Sequence, residues 1–380
     1  MPRSQKLPLL LDRATPAQSA PPQPTAGDGE NRPLRLSVLD QSPIAQGSTG
    51  AAALHNSIDL AQLCDRLGYH RYWVAEHHGT PALACTAPEV LIGPIAAATS
   101  RIRVGSGGIM LPHYSPLKVA ENFSMLAGLY PNRIDLGIGR AAGTDSTTAF
   151  ALQRNRRERA PAEDFRDQLD ELLAYAHNEV NAAHPFARLA ATLPGRPETP
   201  DPYLLGSSPQ SAIWAAELGL PYVFADFINP HGVDIVAHYR RQFAPSPRLA
   251  WPRTLVATWV ICADTDVAAR RLALSFQMMF ALMHRGRLIA VPPIETAEQF
   301  FAEEPEATAD LAATRRLIVG SPDTVRAGIE SVARDYAAEE VLLVNILHDH
   351  AARRRSYELV AEVFDLTSAQ AAPAGTSVRL

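Results

Sequence analysis

The feature that most constrains the fold of this chain is a regular alternation of strand-like runs with helical patterns. The predicted strands cover residues 34–40, 72–76, 102–107, 133–139, 203–206, 222–226, 255–262 and 341–346. Eight strand-then-helix units favour a closed parallel barrel. A doubly wound open sheet is the alternative, but it usually has fewer strands. We therefore predict an α/β fold, a (β/α)8 TIM barrel with a long insertion between strands 7 and 8.

The ends of the chain differ in composition from the rest. Residues 1–33 are rich in Pro, Ala, Gln and Gly, a composition that cannot bury a core, and we predict a disordered N-terminal extension. A targeting role for this extension is the alternative. The barrel is expected over residues 34–366, and a flexible C-terminal tail over 367–380. The chain thus predicts one folded domain with an extension at each end.

Charge and cysteine content narrow the class of protein. The net charge of -5 gives no broad basic surface, so nucleic acid is not an expected partner. No apolar run approaches the roughly 18 residues that a membrane span needs. Cys64, Cys85 and Cys262 are odd in number and widely spaced, which fits neither a disulfide framework nor a zinc site. Helical spacing from Leu54 to Cys64 places Cys64 on an apolar face. We expect reduced thiols, no metal and a cytoplasmic location.

Polar and glycine residues cluster where the predicted strands end, which is where the active sites of such barrels form. These strand ends contain D-Q-S-P at residues 40–43, A-E-H-H at 75–78, G-S-G-G at 105–108, G-I-G-R at 137–140 and G-S-S at 206–208. Glycines there let the backbone approach a flat ligand, although tight turns would also explain them. The sequence therefore predicts a ligand site on this rim of the barrel.

A second pattern predicts an anion site. Ser207, Ser208 and Ser211 open a helix, where backbone N–H groups and hydroxyls can bind a phosphate. A simple N-cap at Ser207 followed by proline explains much of the same pattern without a ligand. Arg140 and Arg159 could supply the opposite charge.

Two other interpretations of these motifs are weaker. The glycines at residues 137, 139 and 143 resemble a dinucleotide fingerprint, but the third glycine falls one position late. His348 and His350 could point the same way from a strand and bind a metal, whereas the adjacent His77 and His78 lack the spacing of helical metal ligands.

Several longer motifs resemble the luciferase-like flavin-dependent monooxygenases. They are the run at residues 36–44, A-E-H-H at 75–78, V-G-S-G-G-I-M-L-P-H at 104–113, S-P-L-K-V-A-E at 115–121, P-N-R-I-D-L-G-I-G-R at 131–140 and V-G-S-P-D-T-V at 319–325. The resemblance covers about residues 34–366 and keeps order and spacing. The H-D-H-A-A-R run at 348–353 is similar to a branch found among antibiotic-tailoring oxygenases.

The resemblance implies roles for individual residues. His77 matches a histidine that acts as an acid/base group beside reduced flavin. Gly107 and Gly108 match a non-proline cis peptide that supports the isoalloxazine. The residues that match those gripping the FMN phosphate are Arg140, Arg159, Ser208 and Ser211. One departure is Gly139, where luciferases proper have a reactive cysteine, and it argues against a light-emitting aldehyde oxidase.

The implied activity is an FMNH2-dependent monooxygenation. Reduced FMN would come from a separate flavin reductase, and O2 bound to it as a peroxide would oxygenate a small organic molecule. The family is commonly dimeric, so a homodimer is expected. A deazaflavin-dependent hydride-transfer enzyme on the same barrel and a non-catalytic flavin-binding protein remain alternatives.

Two local expectations concern the barrel mouth. Side chains alternate along a strand, so Glu76 and His77 should point to opposite sides, and the resemblance selects His77 to face the flavin. The region 285–310 is expected to be a solvated mobile lid, because it is long and carries Glu303, Glu304 and Glu306.

Overall fold

The computed structural model describes residues 33–140, 145–152, 164–307 and 316–366. The predicted N-terminal extension, except for Pro33, and the predicted C-terminal tail lie outside these ranges, as does Arg159.

Eight parallel strands close into a barrel. In chain order, with the two additional strands β4 and β9 included, they are β1 Arg35–Asp40, β2 Arg71–Val74, β3 Arg103–Ser106, β4 Ile109–Met110, β5 Ile134–Gly139, β6 Asp201–Gly206, β7 Tyr222–Ala225, β8 Thr254–Cys262, β9 Leu317–Gly320 and β10 Glu340–Val344. The barrel closes because β10 pairs with both β1 and β8. The predicted TIM barrel is confirmed, and an open sheet is excluded.

The short strands β4 and β9 extend the barrel wall and were not predicted. β4 pairs with the upper end of β5, and β9 pairs with the upper half of β8, from Trp259 to Cys262. The predicted second strand is too long, because β2 ends at Val74 and leaves Glu76 and His77 in the segment beyond it.

Twelve α-helices lie within the described ranges. They are α1 Gly50–Leu67, α2 Pro88–Ala98, α3 Pro116–Leu129, α4 Ser146–Leu152, α5 Phe165–His177, α6 Ala187–Ala191, α7 Pro209–Glu217, α8 Val233–Gln242, α9 Asp266–His284, α10 Ile294–Glu303, α11 Pro322–Asp335 and α12 His350–Val363. None of these helices is both long and apolar enough to cross a membrane.

Local sequence chemistry sets the ends of several helices. The Thr49 hydroxyl accepts from the backbone N–H of Ala52 at the start of α1, and Gly68 ends that helix in the left-handed conformation. The Asp349 carboxylate caps α12 in the same way. Each such cap contributes about 1 kcal/mol to stability. These helix ends fix where the loops at the barrel mouth begin.

Alternation along each strand divides the core in two. Leu255, Ala257 and Trp259 of β8 point into the barrel, where they pack with Leu342. Intervening residues such as Val256 face the helices and belong to the outer layer, which also holds Cys64 as predicted. Because parallel strands are covered on both faces, they appear in the sequence as nearly continuous apolar runs.

A buried ion-pair network fills the amino-terminal end of the barrel. Arg71 donates to Asp135 at 2.6 Å and to Glu340 at 2.8 Å. Asp135 also accepts from Trp73 Nε1 and from Arg103, both at 2.9 Å or less. These groups are spread over four strands, so the network ties the base of the barrel together. The two arginines beside Asp135 hold the pKa of its carboxyl below the usual value, although burial acts in the opposite direction.

The insertion between β8 and β10 contains α9, α10, β9 and α11. The prediction that residues 285–310 form a solvated loop is wrong for 294–303, which form α10. Arg271 on α9 bonds Glu295 at 3.3 Å and Glu298 at 2.7 Å, and Arg285 bonds Glu304, so α10 is tied to α9 near both ends. Of the acidic residues that suggested a solvated loop, Glu304 pairs with Arg285, and Glu303 accepts from Gln299 Nε2 at 3.0 Å.

A short segment, residues 286–290, joins α9 to α10 and is called the strap here. At its start, the N–H of Arg287, the second residue of the strap, donates to the Leu282 carbonyl of α9 at 2.8 Å. After it, Val291 is buried and exchanges two hydrogen bonds with the loop that follows β1, at Ile44 and Gln46. The strap is therefore anchored at both ends.

Candidate active site

The carboxyl ends of the strands surround a cavity of about 490 Å3 at the barrel mouth. Gln41, His77 and His78 supply polar side chains from the ends of β1 and β2. Most of the remaining wall is apolar and comes from β8, α9 and the strap; it includes Phe227, Trp259, Met279, Phe280, Met283 and Leu288. Its size and mixed lining are those of a site for a small molecule.

His77 lies at the junction between the barrel wall and this cavity. Its backbone N–H donates to the Cys85 carbonyl at 3.0 Å, which fixes the segment after β2. Its Nδ1 is buried and has no hydrogen-bond partner among the described residues. Burial, and secondarily the charge of His78, lower the pKa of His77 from 6.5 to about 4. The ring is therefore neutral at pH 7.

Glu76 turns away from the cavity into the barrel wall. Its side chain is fully buried, and one carboxylate oxygen accepts from the Met110 N–H at 2.9 Å. The other accepts from the Tyr114 hydroxyl at 3.0 Å and bonds His78 Nε2 at 2.8 Å. Glu76 and His77 therefore point to different sides, as expected. Both residues lie beyond the end of β2, although the expectation was based on alternation along a strand.

The glycines of β3 and β5 form the neighbouring part of the rim. The peptide bond between Gly107 and Gly108 is cis, the geometry that the resemblance implies. A Cβ atom at Gly107 would collide with Leu39, and one at Gly108 would lie 2.8 Å from the Gly137 carbonyl oxygen. Backbone packing thus requires glycine at Gly108, and side-chain packing against Leu39 favours it at Gly107. The contact of both residues with a flavin stays a prediction.

Gly139 differs from these glycines. Among the described residues, the nearest neighbour of a Cβ atom there would be the Ile109 carbonyl oxygen, at 3.7 Å. The space beside Gly139 would accept a side chain, so the absence of one leaves the end of β5 open toward the mouth.

The predicted phosphate site lies at the ends of β5 and β6. Ser208 is the N-cap residue of α7, and Ser207 precedes it. The Arg140 guanidinium lies over the Trp214 ring of α7, 5.6 Å from its centroid, so it is close to this helix. The structure thus brings Arg140 and the start of α7 together, on strands adjacent to the glycine rim. Arg159 lies outside the described residues.

Ser211 is positioned differently from the other two serines. Its hydroxyl donates to the Ser208 carbonyl at 2.7 Å and lies 2.9 Å from the Tyr222 hydroxyl. Its hydrogen is therefore used within the protein, and a contact with phosphate, which stays a prediction, needs the side chain to reorient.

The two late histidines do not face the cavity. His350 Nε2 lies 2.8 Å from the Asp59 carboxylate on α1, and His348 Nε2 lies 3.3 Å from the Gln46 carbonyl. Within the described ranges, no group of three or more His, Cys, Asp or Glu residues could hold a metal ion.

Sequence reasoning missed the apolar wall of the cavity. Met279, Phe280 and Met283 have the spacing of an ordinary buried helix face, and only their tertiary position places them beside Trp259. Gln41 was noted at a strand end without a role; in the structure its Nε2 is buried and unpaired among the described residues.

A larger cavity, of about 580 Å3, lies at the opposite end of the barrel. It is bordered by the start of β6, the end of α5 and the loop before β8, including His177, Asp201 and Arg253. None of the strand-end motifs contributes to it, so we place the active site at the mouth despite the larger volume at the base.

The residues at the mouth fit a flavin. Gln41 and His77 provide unpaired buried polar atoms, which a ligand with ring nitrogens and carbonyl oxygens can satisfy. The glycine rim offers bare backbone to a flat ring, and the start of α7 with Arg140 offers N–H groups and charge to a phosphate. These three parts occupy consecutive strand ends, β1 to β6.

Comparison with known proteins identifies the family of this chain. The model of the luciferase-like monooxygenases matches residues 34–339. The chain is 39% identical to a "Luciferase-like monooxygenase" of Escherichia coli (strain K12), over 88% of this chain and 98% of that protein. It is 35% identical to the "N-acetyl-S-alkylcysteine monooxygenase" of Bacillus subtilis (strain 168), over 87% of this chain and 98% of that one.

The solved structure of apo-MsnO8 is similar as well. It is 40% identical in sequence, with a TM-score of 0.77, and the match covers 88% of this chain and 98% of that chain. The family model covers well over half of the chain, and the relatives align along nearly their full length. The chain therefore belongs to the luciferase-like monooxygenase family.

Proposed function

We propose that this chain is the oxygenase of a two-component system, which takes reduced FMN from a separate flavin reductase and uses O2 to oxygenate a small organic molecule. The observation that carries the proposal is the cavity of about 490 Å3, where an apolar wall faces His77 beside a glycine rim. Such a site encloses a flat cofactor and an organic substrate away from bulk water.

The phosphate end of the cofactor is assigned to Arg140, Arg159, Ser207, Ser208 and Ser211. Backbone N–H groups at the start of α7 add the positive end of a helix dipole. The isoalloxazine is assigned to Gly107, Gly108 and the space left at Gly139. This orientation directs the reactive ring toward His77.

Reduced FMN, when bound, supplies the two electrons that activate O2. The chain orients the reactants and controls protons. A neutral imidazole donates one hydrogen bond and accepts another, so His77 can hold a ring nitrogen or oxygen in place without bringing a charge. We propose His77 as the residue that contacts the flavin and stabilises its protonation state.

The apolar wall points to the substrate class. Trp259 is fixed by its Nε1–H donating to the Phe227 carbonyl at 3.2 Å and by contact with Phe276 and Phe280. We propose a substrate with an apolar group of modest size that packs there. Because one relative is named for N-acetyl-S-alkylcysteines, these thioethers are the first compounds to test. A relative named "4-hydroxyprotoasukamycin monooxygenase", from Streptomyces nodosus subsp. asukaensis, suggests antibiotic intermediates as a second class.

The decisive experiment combines binding and isotope incorporation. The protein is titrated anaerobically with reduced FMN and with the deazaflavin F420, then mixed with 18O2 and N-acetyl-S-methylcysteine or a panel of apolar ketones. We expect preferential binding of reduced FMN and one 18O atom in a product. Preferential deazaflavin binding with hydride transfer and no O2 uptake would overturn the proposal. Flavin binding without any O2 reaction would indicate a carrier.

Two further properties belong to the same proposal, a homodimer and a cytoplasmic location. Light scattering should give twice the chain mass of 41.2 kDa. The reductase requirement is tested by supplying NADH with and without an added flavin reductase. We expect product only when the reductase is present.

A further inference from the structure

The cavity at the base of the barrel, called the basal cavity here, has no part in the function proposed above. Its volume of about 580 Å3 lies within the range of small-molecule sites. It shares no lining residue with the cavity at the mouth. The basal cavity is therefore a separate candidate site, and its charges and apolar surface indicate what it could bind.

Two carboxylates that border the basal cavity already have close cationic partners. Asp170 pairs with Arg166 at 3.1 Å, and Asp201 pairs with Arg103 at 2.6 Å. Neither arginine belongs to the lining of the cavity, so both carboxylates are paired from outside it. These two acids therefore do not make the cavity a site for a cation.

The basic groups at one end of the cavity have only a distant partner. Arg248 Nη2 lies 4.0 Å from Oε1 of Glu179, and His177 Nδ1 lies 4.0 Å from Oε2 of the same carboxylate. Both distances exceed that of a hydrogen bond. His177 Nε2 is buried and has no hydrogen-bond partner among the described residues. Glu179 thus faces two basic side chains and bonds neither of them closely.

The surroundings of His177 carry an excess of positive charge. Burial, and then the charges of Arg248 and Arg196, lower the pKa of His177 from 6.5 to about 4. Burial, followed by the charge of Arg248, also lowers the pKa of Arg196. The side chain of Glu179 is 54% exposed, so water screens its charge. A negative group placed between His177 and Arg248 would be stabilised by both neighbouring arginines.

Much of the remaining wall of the basal cavity is apolar. It includes Leu173, Leu218, Leu220, Leu249, Pro202 and Pro221. The cavity at the mouth is also largely apolar, but none of the described residues that line it is an arginine or a lysine. A molecule that combines an apolar body with a negative charge is therefore complemented at the base and not at the mouth.

We propose that the basal cavity binds a small organic monocarboxylate, with its carboxylate between Arg248 and His177 and its apolar body against the leucines of the wall. His177 donates from Nε2 to one carboxylate oxygen, and Arg248 pairs with the other. One arginine and a neutral histidine match a single negative charge, whereas a phosphate ester carries about two. The ligand takes the place of Glu179, whose exposed side chain turns toward solvent. The site does not depend on the oxygenase assignment, because it uses none of the same residues.

The first test measures binding to the full chain without flavin, by isothermal titration calorimetry. The probe is 4-phenylbutyrate, and 4-phenylbutanamide is its neutral match. We expect the carboxylate to bind and to raise the melting temperature, because a ligand of the folded state stabilises it. The amide should bind about fivefold more weakly, since it lacks the charge that pairs with Arg248. Equal binding of the two compounds, or no binding of either, would overturn the proposal.

The second test uses substitutions whose effects have opposite signs. Arg248→Met should weaken the binding of 4-phenylbutyrate by about fivefold, and His177→Phe by about tenfold. Glu179→Gln should strengthen it by about two- to threefold, because a competing carboxylate is removed. Arg248 and Glu179 are 46% and 54% exposed, so their variants should keep the fold. Arg241→Met, at an exposed arginine on α8 outside the cavity lining, is the control and should change nothing.

The same probe shows whether the site lies at the base or at the mouth. Trp259→Ala, at the mouth, should leave the affinity for 4-phenylbutyrate unchanged. Loss of binding in Trp259→Ala without loss in Arg248→Met would place the probe at the mouth and overturn the proposal. Equal effects of Arg241→Met and Arg248→Met would overturn it as well, since they would reduce binding to a general attraction of anions.

Discussion

The two ends of the barrel surround their buried polar groups differently. At the base, Arg71 and Asp135 meet each other and further partners at 2.6–2.9 Å. At the mouth, Gln41 and His77 each bury a polar atom that finds no partner within the described part of the chain. An unpaired buried polar atom costs about 1–3 kcal/mol. The base also has such an atom, Glu340 Oε2, but Arg253 Nη2 lies only 3.6 Å from it. The base therefore sets its buried charges beside opposite charges, whereas the unpaired atoms at the mouth face a cavity where a ligand can satisfy them.

The largest expected effect comes from a substitution at the mouth that leaves the base of the barrel unchanged. His77→Ala should lower product formation by roughly 10²–10⁴-fold, because the flavin loses the side chain that holds its protonation state. FMN binding should change only a few-fold, and the free energy of unfolding should not fall. Turnover is measured at steady state with excess reduced FMN, and stability by calorimetry. His55→Ala, a change at an exposed histidine on α1, is the control. Full turnover in His77→Ala would contradict the role given to this residue.

The next effect breaks the base without touching the mouth. Arg71→Met leaves Asp135 and Glu340 buried without their main cation, which should lower the free energy of unfolding by about 3–5 kcal/mol. Lys118→Met, at an exposed surface pair with Glu121, should lower it by less than about 1 kcal/mol. Urea unfolding measures both. Equal losses in the two variants would mean that the network at the base contributes no more than a surface pair.

Acidification should destabilise the folded chain through histidines before it affects the carboxylates at the base. In the folded chain, burial is the main cause that lowers the pKa of His77, and also that of His70, from 6.5 to about 4. Between these values the unfolded chain binds protons that the folded chain does not. Stability is therefore complete above pH 6.5 and falls as the pH drops toward 4. For His77 the loss is at most about 3 kcal/mol.

Asp135 responds in a different range. Its pKa is lowered, so its contribution is lost only below the usual carboxyl value of 3.8. Melting temperatures between pH 7 and pH 4 should fall for the wild type, and less steeply for His77→Gln. The same slope in both proteins would exclude His77 as a source of this pH dependence.

The smallest expected effect tests which residue at the mouth contacts the phosphate of FMN. Arg140→Ala should weaken FMN binding by about 1.5–3 kcal/mol, since a charge-assisted hydrogen bond to phosphate is lost. Riboflavin, which lacks the phosphate, should bind both proteins equally. Arg270→Ala, an exposed arginine on α9, is the matched control. If riboflavin binding falls as much as FMN binding, Arg140 acts on the ring and not on the phosphate.

Some features of the fold could be predicted from the sequence and others could not. The strands were predictable because buried parallel strands produce apolar runs, and their carboxyl ends had to share one rim. The fold of α10 was not predictable, since Glu298 and Glu304 look solvated until Arg271 and Arg285 are placed beside them.

The site was predictable to a similar degree. Strand-end residues such as His77 and Arg140 could be placed on the rim from order alone. The wall formed by α9 could not, because Met279 and Phe280 have the same spacing as any core helix face. The hydroxyl of Ser211 is another example, since its partner Tyr222 lies on the next strand and is not evident from local sequence.

The strap affects how fast small molecules can enter and leave the cavity. Anchored at Leu282 and Val291, its five residues can span no more than about 17 Å, and neither neighbouring helix has to move when they shift. Leu288, with 48% of its surface exposed, can uncover the cavity by rotating its side chain. Such rotations take picoseconds to nanoseconds, whereas displacing a helix takes microseconds or longer. Exchange of small molecules at the mouth should therefore be fast compared with turnover, and solvent viscosity should affect kcat very little.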